Sequence, residues 1–485
     1  MARGYVPVDR DQQFLIPPDM RDWLPANHLV WFVIEVVDRI DTKALHSRRR
    51  RGGQGRAGYD PDMLLALLIY AYCTKVRSSR QIERLCETDV AYRVICAGHR
   101  PDHTTIARFR QEHTVAARRL FAQVLDICAK AGLAQVGVVA VDGTKIAANA
   151  SLAANRSRAQ LEADISAMFD EAESVDDDED DRFGPRRGDE LPGELADPDI
   201  RQARLQAALD ELARRPATRG YKGGQDVWEA HVERAEARLE AARRRWHAAR
   251  AAHGPARRGD RREHPEGSKV AHFEARIERL KANQAKAAAR HRGDAQVNLT
   301  DPDSRIMTTK DGWVQGYNAQ AAINHSGIIV AAEVFNSPTD ANLFVPMLDA
   351  LDHTAKLTGP VGVILADAGY CSNTNLTVPG PTRLIATTSA RQVRTDPIIC
   401  HGPPPPGSEP VQAMAHTLRT PEGRHLYKQR SWTVEPGFGN LKANLGFTRF
   451  ARRGLAAAQA EWQLITAAAN LLKLHRWYPG AIRAA

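Results

Sequence analysis

Two short apolar segments, far apart in the chain, each run straight into an aspartate. Val138-Val139-Ala140-Val141 leads into Asp142, and Val361-Gly362-Val363-Ile364-Leu365-Ala366 leads into Asp367. Small and β-branched apolar runs of this length, bounded by polar residues, read as strands. The chain must therefore place two strand-end carboxylates. A third acid lies in the tail, inside YKQRSWTVEPGFGNLK, where Tyr427, Arg430, Glu435 and Lys442 are spaced x2, x4 and x6. Hard divalent cations take oxygen ligands, and paired carboxylates beside Arg and Lys suit metal-assisted phosphoryl transfer.

The segments between supply the rest of the order. Gly312 to Ile323 and Ile328 to Val334 read as a hairpin turning at Asn324 to Gly327. A helix over 341–355 follows, then the strand ending at Asp367, then a short strand over Leu384 to Thr388. Residues 403–410 form a Pro-rich loop, and Glu422 to Lys428 are helical. Glu435 opens a separate segment, 435–445, with Pro436 at its first turn. A final helix over 456–476 carries Trp462, Leu464, Ile465, Leu471, Leu472 and Leu474.

Residues 1–133 are helical. Pro61 starts a continuous apolar run to Tyr72. Ser78 and Asp89 then stand before two short amphipathic helices. After a turn at Ala97 to Pro101, Asp102 caps a helix that puts Ile106 and Phe109 on one face. Thr104, Thr105, Arg108 and Arg110 lie on the other. Short helices with tight turns fit a helix-turn-helix reader of the major groove; an ordinary bundle with a solvated basic face has the same pattern. A further helix, 115–133, leads into the first strand.

The net charge of +9 suits a nucleic-acid partner, although an Arg-rich composition alone produces the same sign. The excess gathers at Arg48 to Arg51 and at Arg449, Arg452 and Arg453. Six cysteines without a CxxC pair argue against a zinc ribbon or a disulfide framework and suit a reducing cytoplasm. The apolar stretch Leu29 to Ile34 is too short to span a bilayer, and the first residues are too polar for a signal peptide. Residues 152–296 differ in kind: an acidic tract from Asp176 to Asp181 and Ala/Arg/Glu-rich stretches at 228–250 and 271–290 read as a charged helical or partly disordered insertion.

Taken in order, the chain resembles an insertion-sequence transposase of the DDE class. The motifs are Val141-Asp142-Gly143-Thr144-Lys145, Ala366-Asp367-Ala368-Gly369-Tyr370 and the Tyr-Arg-Glu-Lys set around Glu435. Thr300 to Met307, Gly316 to Gln320 and the surroundings of Gly58 to Pro61 are also similar. One departure is the four residues between Arg430 and Glu435, where the usual signature has three.

The resemblance implies a ribonuclease H-like mixed-sheet catalytic core (134–151 and 297–478) behind an all-α DNA-binding domain (1–133), interrupted by the insertion. It implies that Asp142, Asp367 and Glu435 hold two Mg²⁺ ions, replaceable by Mn²⁺, for cleavage and joining of double-stranded DNA at inverted repeats. It further implies that Tyr427, Arg430 and Lys442 contact phosphates, that two copies pair the ends, and that the protein works at the nucleoid. Asp301 and Asp303 are rival carboxylates, Asp340 is read as the cap of the next helix, and His99, His103 and His113 as surface or DNA-facing. A non-catalytic DNA-binding protein and a metal nuclease without strand transfer are the competing functions.

Overall fold

The computed structural model describes residues 19–46, 58–163, 198–214, 236–248 and 270–282 in part, 296–310, 312–395, 397 and 399–477. The Arg48–Arg51 run and the acidic tract at 176–181 lie outside the described residues. The chain divides into two compact units: residues 1–152 with 303–485, and residues 153–302. No described helix is long and apolar enough to cross a membrane.

In the first unit, the helices that open the chain form as their caps and apolar spacing dictate. α1 (Leu29–Arg39) buries Val30, Val33, Val36 and Val37 on one stripe. α2 (Lys43–His46) is a single turn. α3 (Pro61–Cys73) begins where Asp60 accepts from the amides of Asp62 and Met63, and it is buried from Leu64 to Cys73. α4 (Ser79–Thr88), α5 (Val90–Ile95) and α6 (His103–Glu112) are capped by Ser78, Asp89 and Asp102 as expected. α7 (Thr114–Lys130) leads to the sheet.

Four strands meet around β1 (Val138–Ala147) and β5 (Gly312–Asn324), which pair antiparallel from Val139↔Asn324 to Ala147↔Gly316. At Gly316 the backbones approach so closely that a Cβ would lie 2.4 Å from the Ile146 carbonyl oxygen. The other edge of β5 is shared. β4 (Arg305–Thr309) takes its first residues, and β6 (Ile329–Phe335) takes Asn318 to Ile323, with a bulge at Ala322/Ile323. On the far side of β1, β7 (Val363–Ala366) runs parallel, and β8 (Thr382–Ile385) runs parallel to β7. Leaving β4 aside, the sheet reads third, second, first, fourth, fifth strand, the order of a ribonuclease H-like core. β4 is an addition that precedes the strand signals starting at Gly312.

The last helix, α8 (Leu455–Trp477), joins the helices to the sheet. It packs on α3, α7 and β6, so one apolar core runs from α1 to α8. Its polar residues do a second job. Gln459 accepts from the amide of Val334 at 2.6 Å and donates to the Ala332 carbonyl at 3.0 Å. Three turns on, Asn470 accepts from the Ile329 amide and donates to the Ile329 carbonyl, both at 2.9 Å. The outer edge of β6 thus finds its hydrogen-bond partners on a helix, which blunts an edge strand. Trp462, fully buried, donates from Nε1 to the Gln320 carbonyl on β5.

The second unit carries its own small core of Leu161, Leu205, Ala208, Leu212 and Val297. β2 (Asn155–Ser157) and β3 (Gln296–Asn298), at its two ends, pair antiparallel, and a helix runs over Pro198–Arg214. Ion pairs Arg243–Glu274 at 2.6 Å and Lys281–Glu236 at 3.0 Å join the two charged helical stretches.

Replacing Asn470 by Leu is expected to cost about 1–3 kcal/mol, because the Ile329 N–H and C=O both lose a buried partner. Urea denaturation of the full chain measures it, and a loss under about 0.5 kcal/mol would contradict the edge-capping role.

Candidate active site

The parallel pairing of β1 with β7 is short: Val138↔Val363, Val139↔Ile364, Ala140↔Leu365, and no further. Asp142 stands two residues past Ala140, and Asp367 two residues past Leu365. The two carboxylates are therefore level, at the place where the strands part. Asp142 is not at a strand end, as its sequence suggested: β1 continues to Ala147 on its β5 side, and Asp142 pairs with Ala321. Asp367 does end its strand and caps the turn Ala368–Tyr370, accepting from the Gly369 amide at 2.9 Å.

Arg430 reaches both acids. Its Nη2 lies 2.7 Å from Asp142 Oδ2 and 3.9 Å from Asp367 Oδ2, and its side chain is only 8% exposed. The Gly143 amide donates to Asp142 Oδ1 at 2.8 Å. Burial pushes the Asp142 carboxyl up to about 6; Arg430 pulls it down, and Asp367 pushes it up again. Burial disfavours the Arg430 charge, but Asp142 and its other anionic neighbours raise it overall.

Arg430 sits on a helix longer than expected, Pro421–Gly439, in which Pro436 is internal instead of opening a new segment. The ring removes one intrahelical N–H bond. Burial of Arg424, Tyr427, Arg430, Val434 and Phe438 along one side holds the helix against β1, β5 and β7. At Gly437 a Cβ would lie 2.3 Å from Ile323 Cδ1, so the helix passes close over β5 there. A π-turn over Asn440–Asn444 ends it and carries Lys442. Tyr427 is buried; Glu435 and Lys442 are exposed. Arg430 thus bridges two of the three expected acids, Asp142 and Asp367, and Glu435 stands exposed five residues further along the same helix.

Across the sheet lies a group that sequence reading missed. Asp340 makes no capping hydrogen bond. Its Oδ1 accepts from Lys145 Nζ at 3.0 Å, Asn318 Nδ2 at 2.6 Å and Gln320 Nε2 at 3.1 Å. The Tyr370 hydroxyl donates to Gln320 Oε1. Burial, with Asp142, Asp340 and Asp367 nearby, holds the Tyr370 phenol well above its ordinary range. The motif Gly143-Thr144-Lys145 and the Asn318/Gln320 alternation were the available signals.

The four N-terminal candidates separate. Thr104 and Arg108 are exposed on α6. The Thr105 hydroxyl donates to the capping Asp102 at 2.7 Å. Arg110 turns inward, donating to the Arg77 carbonyl at 2.9 Å and to Ser79 Oγ at 2.8 Å. Of the C-terminal arginines, Arg452 donates to the Arg110 carbonyl, Arg453 to the Asn149 carbonyl, and Arg449 is exposed. His103 pairs with Glu83 at 2.7 Å. Asp303 accepts from the Leu455 amide at the start of α8.

Three known domain families match this chain. The Transposase domain (DUF772) matches residues 18–112, and two Transposase DDE domain families match residues 291–378 and 405–475. These spans hold Asp367, the Tyr427–Lys442 set and helices α1 to α6; Asp142 lies outside them. No curated protein and no solved structure matches the chain. A ribonuclease H-like sheet with level carboxylates, together with these matches, defines a DNA-processing enzyme. The chain belongs to the insertion-sequence DDE transposases, whose chemistry acts on DNA and uses a divalent metal.

The residues present fit such a metal. The donors are hard oxygens, and one guanidinium does not neutralise two carboxylates.

The elevated Asp142 makes stability depend on pH. The folded chain keeps this proton where the unfolded chain, titrating near ~3.9, has released it. The stability linked to Asp142 is full below about pH 4 and is lost as the pH rises through about 6. Without divalent metal, Asp142→Asn should gain on the wild type by on the order of 2 kcal/mol between pH 4 and 6.5, then run parallel. Melting curves across that range check this; a constant offset at every pH would count against it.

Proposed function

We propose that the chain cleaves DNA at the ends of its own insertion sequence and joins the freed ends to target DNA. The observation that carries this reading is the level placement of Asp142 and Asp367 just past the last β1–β7 pair, bridged by Arg430. A carboxylate pair held on rigid strands suits charge that develops in a phosphoryl-transfer transition state.

In this reading Asp142, Asp367 and Glu435 would hold two Mg²⁺ ions. When bound, the metal supplies Lewis-acid activation of a water or 3′-hydroxyl and neutralises charge on the leaving oxygen. The protein's own contribution is orientation. The Gly143 amide fixes the Asp142 carboxylate, and the turn at Gly369 fixes that of Asp367. Arg430 holds the two anions together, and its planar fork would also suit a DNA phosphate. Exposed Glu435 and Lys442 lie on the same helix and its π-turn, with Lys442 as a point charge for the backbone.

Residues 1–133 would read the terminal inverted repeats through α6, and two copies would pair the two ends. Residues 134–151 and 297–478 would form the catalytic domain and 152–296 an insertion within it. Thr104 and Arg108, exposed on α6, would face the DNA, with Thr105 beside them at the cap.

The decisive assay mixes the full chain, Mg²⁺ and labelled DNA flanking its own gene. Nicking at a repeat end is expected, with Asp142→Asn, Asp367→Asn and Glu435→Gln each lowering it at least 10³-fold while binding persists. Binding without cutting in Mg²⁺ or Mn²⁺ would instead make the chain a DNA-binding protein, and cutting by any one variant would remove that acid from the set.

The two arginines of α6 should behave differently. Arg108→Ala is expected to weaken DNA binding and lower the salt slope by about 1. Arg110→Ala should cost about 1–3 kcal/mol of stability, because its buried acceptors lose their donor. Salt-dependent binding and thermal melts of both variants test the pair; equal salt slopes would move the DNA face elsewhere.

A further inference from the structure

The sheet ladder cannot by itself keep Asp367 beside Asp142. β7 pairs with β1 over three residues and stops before the aspartate, and the next residues form a 3-10 turn, Ala368–Tyr370. Whatever fixes that turn sets the spacing of the pair. Two side-chain hydrogen bonds reach it, and a third side chain packs beside it.

The packed side chain is Asp340. Its Oδ1 collects donors from β1 (Lys145) and β5 (Asn318, Gln320). Its Oδ2 lies against the turn: a Cβ built on Gly369 would be 3.4 Å from Asp340 Oδ2 and 3.0 Å from Asp367 Oδ1. The two carboxylates thus flank the same glycine. The first hydrogen bond is that of the Tyr370 hydroxyl to Gln320, which ties the turn to the same amide that binds Asp340. The second comes from Asn375, whose amide donates to the Tyr370 carbonyl at 2.7 Å and to the Ala341 carbonyl at 2.6 Å, joining the turn to the residue after Asp340.

The network also explains a glycine. A Cβ at Gly143, the neighbour of Asp142, would lie 2.0 Å from Gln320 Nε2 and 2.9 Å from Asn318 Oδ1. A larger residue would displace the Gln320 amide from Asp340 and crowd that of Asn318. Lys145 balances the Asp340 charge, so the brace sits beside the carboxylate pair without adding net negative charge to it.

We propose that Asp340 is a positioning residue: with Lys145, Asn318, Gln320 and Tyr370 it clamps the Asp367 turn onto β1 and β5, which fixes the Asp142–Asp367 spacing that a divalent metal requires. The inference rests on the reading of Asp142 and Asp367 as metal ligands, and it assigns Asp340 no contact with metal or DNA. A clamp of this kind shows in metal affinity as well as in rate, whereas a merely structural aspartate shows only in folding.

The test measures Mn²⁺ binding to the full chain by electron paramagnetic resonance, with apo melting curves and DNA cleavage at saturating Mn²⁺ alongside. Asp340→Ala is expected to weaken Mn²⁺ binding at least tenfold and to slow cleavage at saturating metal at least tenfold. Asp340→Asn, which keeps an acceptor oxygen for the amides, should recover part of both. Tyr370→Phe, which removes one hydroxyl, should weaken binding about threefold and serves if Asp340→Ala does not fold. Wild-type Mn²⁺ affinity in Tyr370→Phe and in every folded Asp340 variant would overturn the proposal, provided Asp142→Asn loses Mn²⁺. Should Asp142→Asn bind Mn²⁺ like the wild type, the ligand reading fails first and the clamp falls with it.

Discussion

Everything at the candidate site depends on the brevity of one strand pairing. β1 is held along its whole length by β5 but for only three residues by β7. Had the parallel ladder run on, the ends of β1 and β7 would be closed against each other by backbone hydrogen bonds. Because it stops at Ala140 and Leu365, a notch opens at the centre of the sheet. Both strands deliver an aspartate into it, supported by the most rigid part of the fold.

The notch is electrostatically unbalanced. One buried guanidinium faces two carboxylates, and burial outweighs it at Asp142. Such an arrangement costs stability and is tolerable where function needs it. Behind it the charge is balanced: Lys145 pairs with Asp340, and neutral amides fill the remaining positions. The first face is poised for a cation, and the second holds the geometry still.

Much of this was legible in the residues. The hairpin of β5 and β6 and the final helix follow from apolar periodicity and turn chemistry, and both aspartates stand out because strand-like runs lead into them. What escaped notice has a common cause. Pro436 looked like a helix start because local propensity cannot register the buried side of Tyr427, Arg430 and Phe438 that carries the helix through it. Asp340 looked like a cap because its partners, Lys145, Asn318 and Gln320, are far away in sequence. Arg110 looked exposed because its acceptors lie on other helices. Each side chain's destination is set by tertiary neighbours that a linear pattern does not contain.

The small β2–β3 ladder bears on how the chain can assemble. Some 165 residues separate the end of β1 from the start of β5, its principal partner. At ordinary synthesis rates β1 waits on the order of 10–30 s for that partner, with its apolar face unpaired. Pairing of β2 with β3 shortens the open loop to roughly 22 residues, which lowers the entropy cost of closing it by about 2 kcal/mol. The insertion is therefore best folded first, and its length is nearly free to drift: once its ends are stitched, the sheet meets only a short tether.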